Sequence, residues 1–289
     1  MNGIAAAIYA SLMFGIGEAA IKKSFKEFVP SVAYAFAAIA GILFWIPLAL
    51  LFGGSWHHFW VILPYALASA VLSEAFYFYA LSKGQLSITA TLLASYPVYT
   101  IGFSYIINNE RLSGAEAVFV WLAVAGTLLA CLPTKFNKGD EWRKAGSWIW
   151  PLLAAAAAGL SDTISKSIIN QTSSFDFLLV LALVQLPVAA VYLLLEKQGI
   201  AITIRSVRQK PSDYFQAIVG ALLSTVGVAL LWVSFNTTLA SVASPIVATS
   251  GAIVVLIATL FMGEKITSQH CMGIILVFIA VLGLSSVSL

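Results

Sequence analysis

From Leu86 to Ile107 the chain carries no charged residue, and it then meets the polar tetrapeptide Glu110-Arg111-Leu112-Ser113. A helix of that length, rising ~1.5 Å per residue, crosses the ~30 Å hydrocarbon core of a bilayer. Lipid offers no partners for backbone N–H and C=O groups, so irregular backbone is excluded there and the run must be helical. The same construction returns 154 positions later: an apolar run opening at Leu239 ends in Glu264-Lys265-Ile266-Thr267, with acid, base, aliphatic and hydroxyl residues in the same order. Identity between the two copies is otherwise sparse, with Ser87 matching Ser241 and Ala94 matching Ala248. A chain built this way is confined to an all-α membrane bundle made twice over.

Composition agrees. Hydrophobic residues make up 61% of the chain and charged residues 9%, where a soluble domain carries roughly 25% charged. Apolar runs of adequate length predict ten spans, near 3–22, 31–53, 60–82, 86–107, 114–132, 148–169, 175–195, 214–236, 239–262 and 268–287. The longer polar connections are Pro133–Ser147 and Glu196–Asp213, and no segment is long and polar enough to form a soluble domain. Trp56, Trp60, Trp142, Trp148 and Trp150 flank connections, where indole favours the headgroup boundary. Lys22, Lys23 and Lys26 follow the first apolar run instead of preceding it, so that run reads as a retained span and not a cleaved signal. Cys131 and Cys271 lie in apolar runs and read as inert buried thiols. A net charge of +3, confined to loops, argues against a nucleic-acid partner.

The repeat divides the chain into residues 1–132, a polar connection 133–147, and residues 148–289. Spans 4 and 9, and spans 3 and 8, match at an offset of 154, whereas spans 1 and 6 match at 144. In the latter pair, Gly15, Glu18 and Lys22 correspond to Gly159, Asp162 and Lys166. The longer Glu196–Asp213 loop absorbs the difference. Five spans per half is odd, so the halves must cross the membrane in opposite senses, the inverted-repeat plan of many secondary transporters.

Tyr79-Ala80-Leu81 closing span 3, Pro97 within span 4, the Glu110 and Glu264 tetrapeptides and a glycine-containing span 10 together resemble the drug/metabolite transporter superfamily, in its ten-helix EamA-like family. The resemblance covers the whole chain and implies alternating-access transport of a small organic metabolite. Two positions depart from the family pattern: Gly251 stands where the first half has Pro97, and Glu18 stands where an aromatic or small polar residue is usual. Pro97, Pro245 and Gly251 are the candidate hinges.

Charges within hydrocarbon are costly and point to function. Glu74 lies near the middle of span 3 with no base three or four residues away. It reads either as a proton or cation site facing a central cavity, or as a carboxyl hydrogen-bonded between helices. Glu18 and Asp162 have Lys22 and Lys166 four residues on, the favourable helical order. Each pair reads either as a structural ion pair or as a charged gate. Tyr77, Tyr96, Tyr99, Gln185 and Trp232 are candidates to line the solute path or to pack helices. Glu110 and Glu264 read as boundary markers.

His57, His58 and His270 show no metal-ligand spacing, and the chain lacks a phosphate loop, a Gly-x-Ser-x-Gly and a CxxC. The expectation is a non-enzymatic multi-pass protein of the plasma membrane without cofactor. It would export or exchange a small amino acid-like or amine-like solute, with proton coupling or exchange in place of ATP. The rival is a membrane-embedded enzyme or scaffold subunit. Convergence of the carboxylates favours transport, and three separate lipid-shielded pairs favour a scaffold. Thirteen of the fifteen Lys and Arg residues fall after odd-numbered spans, which predicts extracytoplasmic termini. The sequence sets no oligomeric state.

Overall fold

The computed structural model describes residues 2–24, 29–81, 92–132, 146–197, 211–262 and 267–287. All regular structure among them is helical. Span 1 is Gly3–Ser24, span 2 Pro30–Leu51, span 5 Gly114–Cys131, span 6 Gly146–Ile169, span 7 Ser174–Leu195, span 8 Pro211–Ser234 and span 10 Ser268–Val287. Span 3 is interrupted: Phe59–Ser69 passes through a π-helical segment, Ala70–Ala75, into Phe76–Leu81. Span 9 is two helices, Ala240–Ala248 and Ser250–Met262. Tyr96–Ile107 is the main helix of the described part of span 4. Eight of these stretches are long and apolar enough to cross a membrane, and Ile218–Ser234 is a shorter apolar helix. The chain is therefore an all-α polytopic membrane protein. Glu264-Lys265-Ile266, Trp142 and most of the basic connections lie outside the described residues.

The repeat is visible in the helix limits. Spans 2 and 7 are each 22 residues long and begin at Pro30 and Ser174. Spans 5 and 10 begin at Gly114 and Ser268. It is visible again in the packing. Span 1 packs on spans 8 and 9, and span 6 packs on spans 3 and 4, as exchange of the halves requires. Spans 2 and 7, 4 and 9, and 5 and 10 pack on their own counterparts.

Two local features repeat at the atomic level. A Cβ added to Gly15 would lie 2.7 Å from Ile253 Cβ and 3.2 Å from the Ser250 carbonyl. One added to Gly159 would lie 2.7 Å from Tyr99 Cβ and 3.0 Å from the Tyr96 carbonyl. These partners match at the 154 offset, and the glycines match at 144. Both crossings are close because spans 1 and 6 each present a glycine there, the usual device for bringing membrane helices together. The second feature is the break in each discontinuous span. Ser95 Oγ donates to the Leu92 carbonyl at 2.6 Å, and Thr249 Oγ1 donates to the Ile246 carbonyl at 2.6 Å. In each case a hydroxyl bonds back three residues where the helix turns, to a carbonyl that also accepts the same residue's backbone N–H.

The core lies between the halves. Trp45, Phe177, Trp232 and Phe235 are fully buried within it. The Trp45 indole donates to the Thr225 carbonyl at 2.8 Å, tying span 2 to span 8. Leu43, Leu51, Trp60, Ile106, Leu194, Leu195 and Phe278 are exposed, as a lipid-facing surface requires.

Candidate functional site

Five spans bring two carboxylates to one place. Glu18 on span 1 accepts a hydrogen bond from the Tyr77 hydroxyl on span 3 at 3.4 Å. Asp162 on span 6 accepts from Ser244 Oγ on span 9 at 2.5 Å. Tyr96, at the start of the main helix of span 4, donates its hydroxyl to the Ser244 carbonyl at 2.9 Å. Tyr96 lies within electrostatic range of Asp162, Glu18 and Tyr77 together. Glu18 and Asp162 occupy matched positions of the two repeats. The fold thus gathers them around one tyrosine at the seam where the repeats meet.

The local reasons are legible. Asp162 follows Gly159 by three residues, so the close crossing of spans 4 and 6 places it one helical turn from the contact. Ser244 is buried on the first helix of span 9, one residue before Pro245. Pro97 sits in the first turn of Tyr96–Ile107, where its missing N–H costs nothing. Pro245 and Gly251 flank the Thr249 break, and a Cβ on Gly251 would lie 2.6 Å from Cys131 Sγ. The three hinge candidates accordingly stand at or beside the two helix breaks.

Glu74 forms a second centre. It lies in the π segment of span 3, and such segments recur at functional positions. Gln185 Nε2 on span 7 donates to Glu74 Oε2. Glu74 Oε1 and Gln185 Oε1 are both buried without a hydrogen-bond partner. Gly41 on span 2 makes room for this amide, since a Cβ there would lie 2.8 Å from Gln185 Oε1. Tyr34, whose hydroxyl donates to the Ala70 carbonyl at 3.3 Å, is within electrostatic range of Glu74. Tyr77 stands three residues from Glu74, so span 3 contributes to both centres.

The remaining sequence candidates are placed otherwise. Lys166 does not pair with Asp162. Its Nζ donates to the Phe235 carbonyl, a group left free where span 8 ends, and it is within electrostatic range of Glu110. Of the two readings of Asp162 and Lys166, the structural ion pair is corrected on that ground: the last carbonyls of span 8 compete for the ammonium. The Lys22 side chain lies outside the described residues. Tyr99 packs against Gly159. Trp232 stacks edge-on with Phe177 and Phe235.

Sequence reasoning missed Glu110. It is only 8% exposed, and it accepts from Ala240 N at 3.0 Å, Ser241 N at 2.9 Å and Ser241 Oγ at 2.6 Å. The available signal was the Ser87/Ser241 identity beside the Glu110/Glu264 match in a repeat with little else in common. The described residues contain no group of three or more His, Cys, Asp or Glu side chains arranged to hold a metal.

Comparison with known families matches residues 1–132 and again 146–286 to the EamA-like transporter family. Comparison with curated proteins gives no match. A solved structure titled "Crystal structure of protein" superposes with a TM-score of 0.78 over 99% of this chain and 96% of its own, at 16% identity. At that identity the likeness speaks for the fold alone.

Proposed function

The chain belongs to the EamA-like transporter family, membrane transporters of small solutes, and from that premise we propose that it is a secondary transporter that exports or exchanges an amine-bearing or amino acid-like metabolite across the plasma membrane. The observation that carries this reading is the meeting of Glu18 and Asp162 around Tyr96 and Tyr77. Two carboxylates from matched positions of inverted repeats stand in equivalent relation to the two sides of the membrane. A cationic amine held between them meets similar partners whichever side is open. The tyrosine rings supply flat surfaces that favour an ammonium group. The helix breaks at Ser95 and Thr249 supply the bending points for alternating access. Because the chain has no nucleotide-binding motif, a gradient or exchange drives any uphill step.

Glu74 carries the coupling proton in this reading. Gln185 occupies one carboxyl oxygen and leaves the other unpartnered, so the group has a position for a proton that does not disturb its anchor. Glu74→Gln keeps shape and hydrogen bonding but cannot titrate. With a solute found by thermal-shift screening against amines and amino acids, proteoliposomes holding the parent accumulate it under an imposed pH gradient. Those holding Glu74→Gln lose that accumulation and keep solute exchange. Accumulation equal to the parent's overturns the coupling role.

A further inference from the structure

We propose that Glu110 is a gating residue: its carboxylate latches the first repeat to the helix start of span 9 and holds one face of the protein shut. The proposal rests on the transport reading.

The geometry begins in the connection after span 4. Asn108 N and Glu110 N both donate to the Ser104 carbonyl, at 3.0 and 3.1 Å. Asn109 between them adopts a left-handed φ of 54°, a conformation asparagine tolerates better than most residues. The tight turn aims Glu110 at the neighbouring repeat instead of at solvent. There it meets the helix Ala240–Ala248, whose preceding residue, Leu239, provides no side-chain cap. The first N–H groups of a helix lack intrahelical acceptors and carry partial positive charge. Glu110 takes two of them, together with the Ser241 hydroxyl. Helix caps are ordinarily local, whereas this one comes from 130 residues away, in the other half.

Other bonds across the same face also join the halves. Asn108 Nδ2 donates to the Thr163 carbonyl at 3.0 Å. Asp176, at the start of span 7, accepts from Ser55 N at 2.7 Å and lies 3.0 Å from His58 Nδ1. Connections after even-numbered spans lie on one side of the membrane by topology. All these links sit there and tie the halves together on that side, as Ser31 N to Glu196 at 3.0 Å and His270 to the Leu132 carbonyl at 3.2 Å do on the other. Any rocking that opens the Glu110 side must draw Glu110 away from Ala240 and Ser241. The exchange is reversible because the opening admits water, which takes over the bonds of both the carboxylate and the freed N–H groups. Both letters of the latch recur in the other half of the sequence as Glu264 and Ser87, at positions outside the described residues.

The test is a distance measurement across the latched face. The full chain, with Cys131 and Cys271 replaced by alanine, carries spin labels at Arg111 and Thr237, both exposed and on opposite sides of the latch. In lipid nanodiscs the parent gives mainly a short distance. Glu110→Ala makes a longer distance the major population. Glu110→Gln, which keeps one acceptor oxygen, and Ser241→Ala, which removes one of three bonds, shift it less but in the same direction. These two carry the test if Glu110→Ala fails to fold. Folded variants whose distances superpose on the parent's, with or without a lower melting temperature, overturn the proposal and leave Glu110 a structural cap. The measurement needs no transported solute. A widened face in a protein that moves nothing in proteoliposomes therefore refutes the transport reading and not the latch.

Discussion

Adding one methyl group at either of two glycines should move stability in opposite directions. Gly102 and Gly159 both lie within spans, and Gly102 is on span 4 itself. A Cβ on Gly102 meets nothing within 4 Å. Gly102→Ala therefore gains the helix preference of alanine over glycine, about 1 kcal/mol. At Gly159 the same methyl lies 2.7 Å from Thr100 N and 2.7 Å from Tyr99 Cβ, with the Tyr96 carbonyl at 3.0 Å. These atoms are backbone or fixed to it, so no side chain can swing aside and spans 4 and 6 must part. Overpacking of this kind costs about 1–3 kcal/mol, against the same gain of about 1 kcal/mol in helix preference. Parting also pulls on the Ser104–Thr163 hydroxyl contact at 3.2 Å and on Asn108 to the Thr163 carbonyl. The net expectation is a higher midpoint for Gly102→Ala and a lower one for Gly159→Ala in thermal unfolding of purified protein in one detergent. Gly15→Ala, at the matched crossing with span 9, should follow Gly159→Ala. If Gly159→Ala is stabilised as much as Gly102→Ala, the close crossing of spans 4 and 6 is wrong, and so is the placement of Asp162 beside Tyr96.

Two further expectations concern bonds away from the carboxylate centres. Ser113 and Glu116 form a reciprocal capping box at the start of span 5. Ser113→Ala should cost about 1 kcal/mol of stability, read as a lowered unfolding midpoint, with solute exchange unchanged. Trp45→Phe keeps a ring in the core but removes the indole's bond to the Thr225 carbonyl, which should cost about 1 kcal/mol. Restoring the parental midpoint by that substitution would show that the indole bond contributes nothing.

The Lys166 correction changes what an Asp162 variant means. Asp162→Asn leaves no lysine unpaired, because the ammonium is already held by the Phe235 carbonyl. A loss of transport in that variant then reports on the site itself.

Sequence alone determined the class of the fold. Charge-free runs of membrane-spanning length can only be helices in lipid, and the 154 and 144 offsets between halves follow from letters alone. The pairing of Glu18 with Asp162 as equivalents was legible in the same way, since each sits three residues after a glycine. Which atoms those carboxylates meet was not legible. Tyr77, Tyr96 and Ser244 come to them from other spans, and local spacing favoured the lysines four residues on. Glu74 looked unpaired because its partner, Gln185, is 111 residues away. Glu110 looked like a marker of the water boundary because a glutamate beside an arginine at a helix end usually is one. Only the packing of the two repeats puts an uncapped helix start within its reach. Hydropathy is summed along the chain, so one sequence displays it. A hydrogen bond between distant spans depends on the crossing geometry of helices, which is settled only when the two halves close on each other.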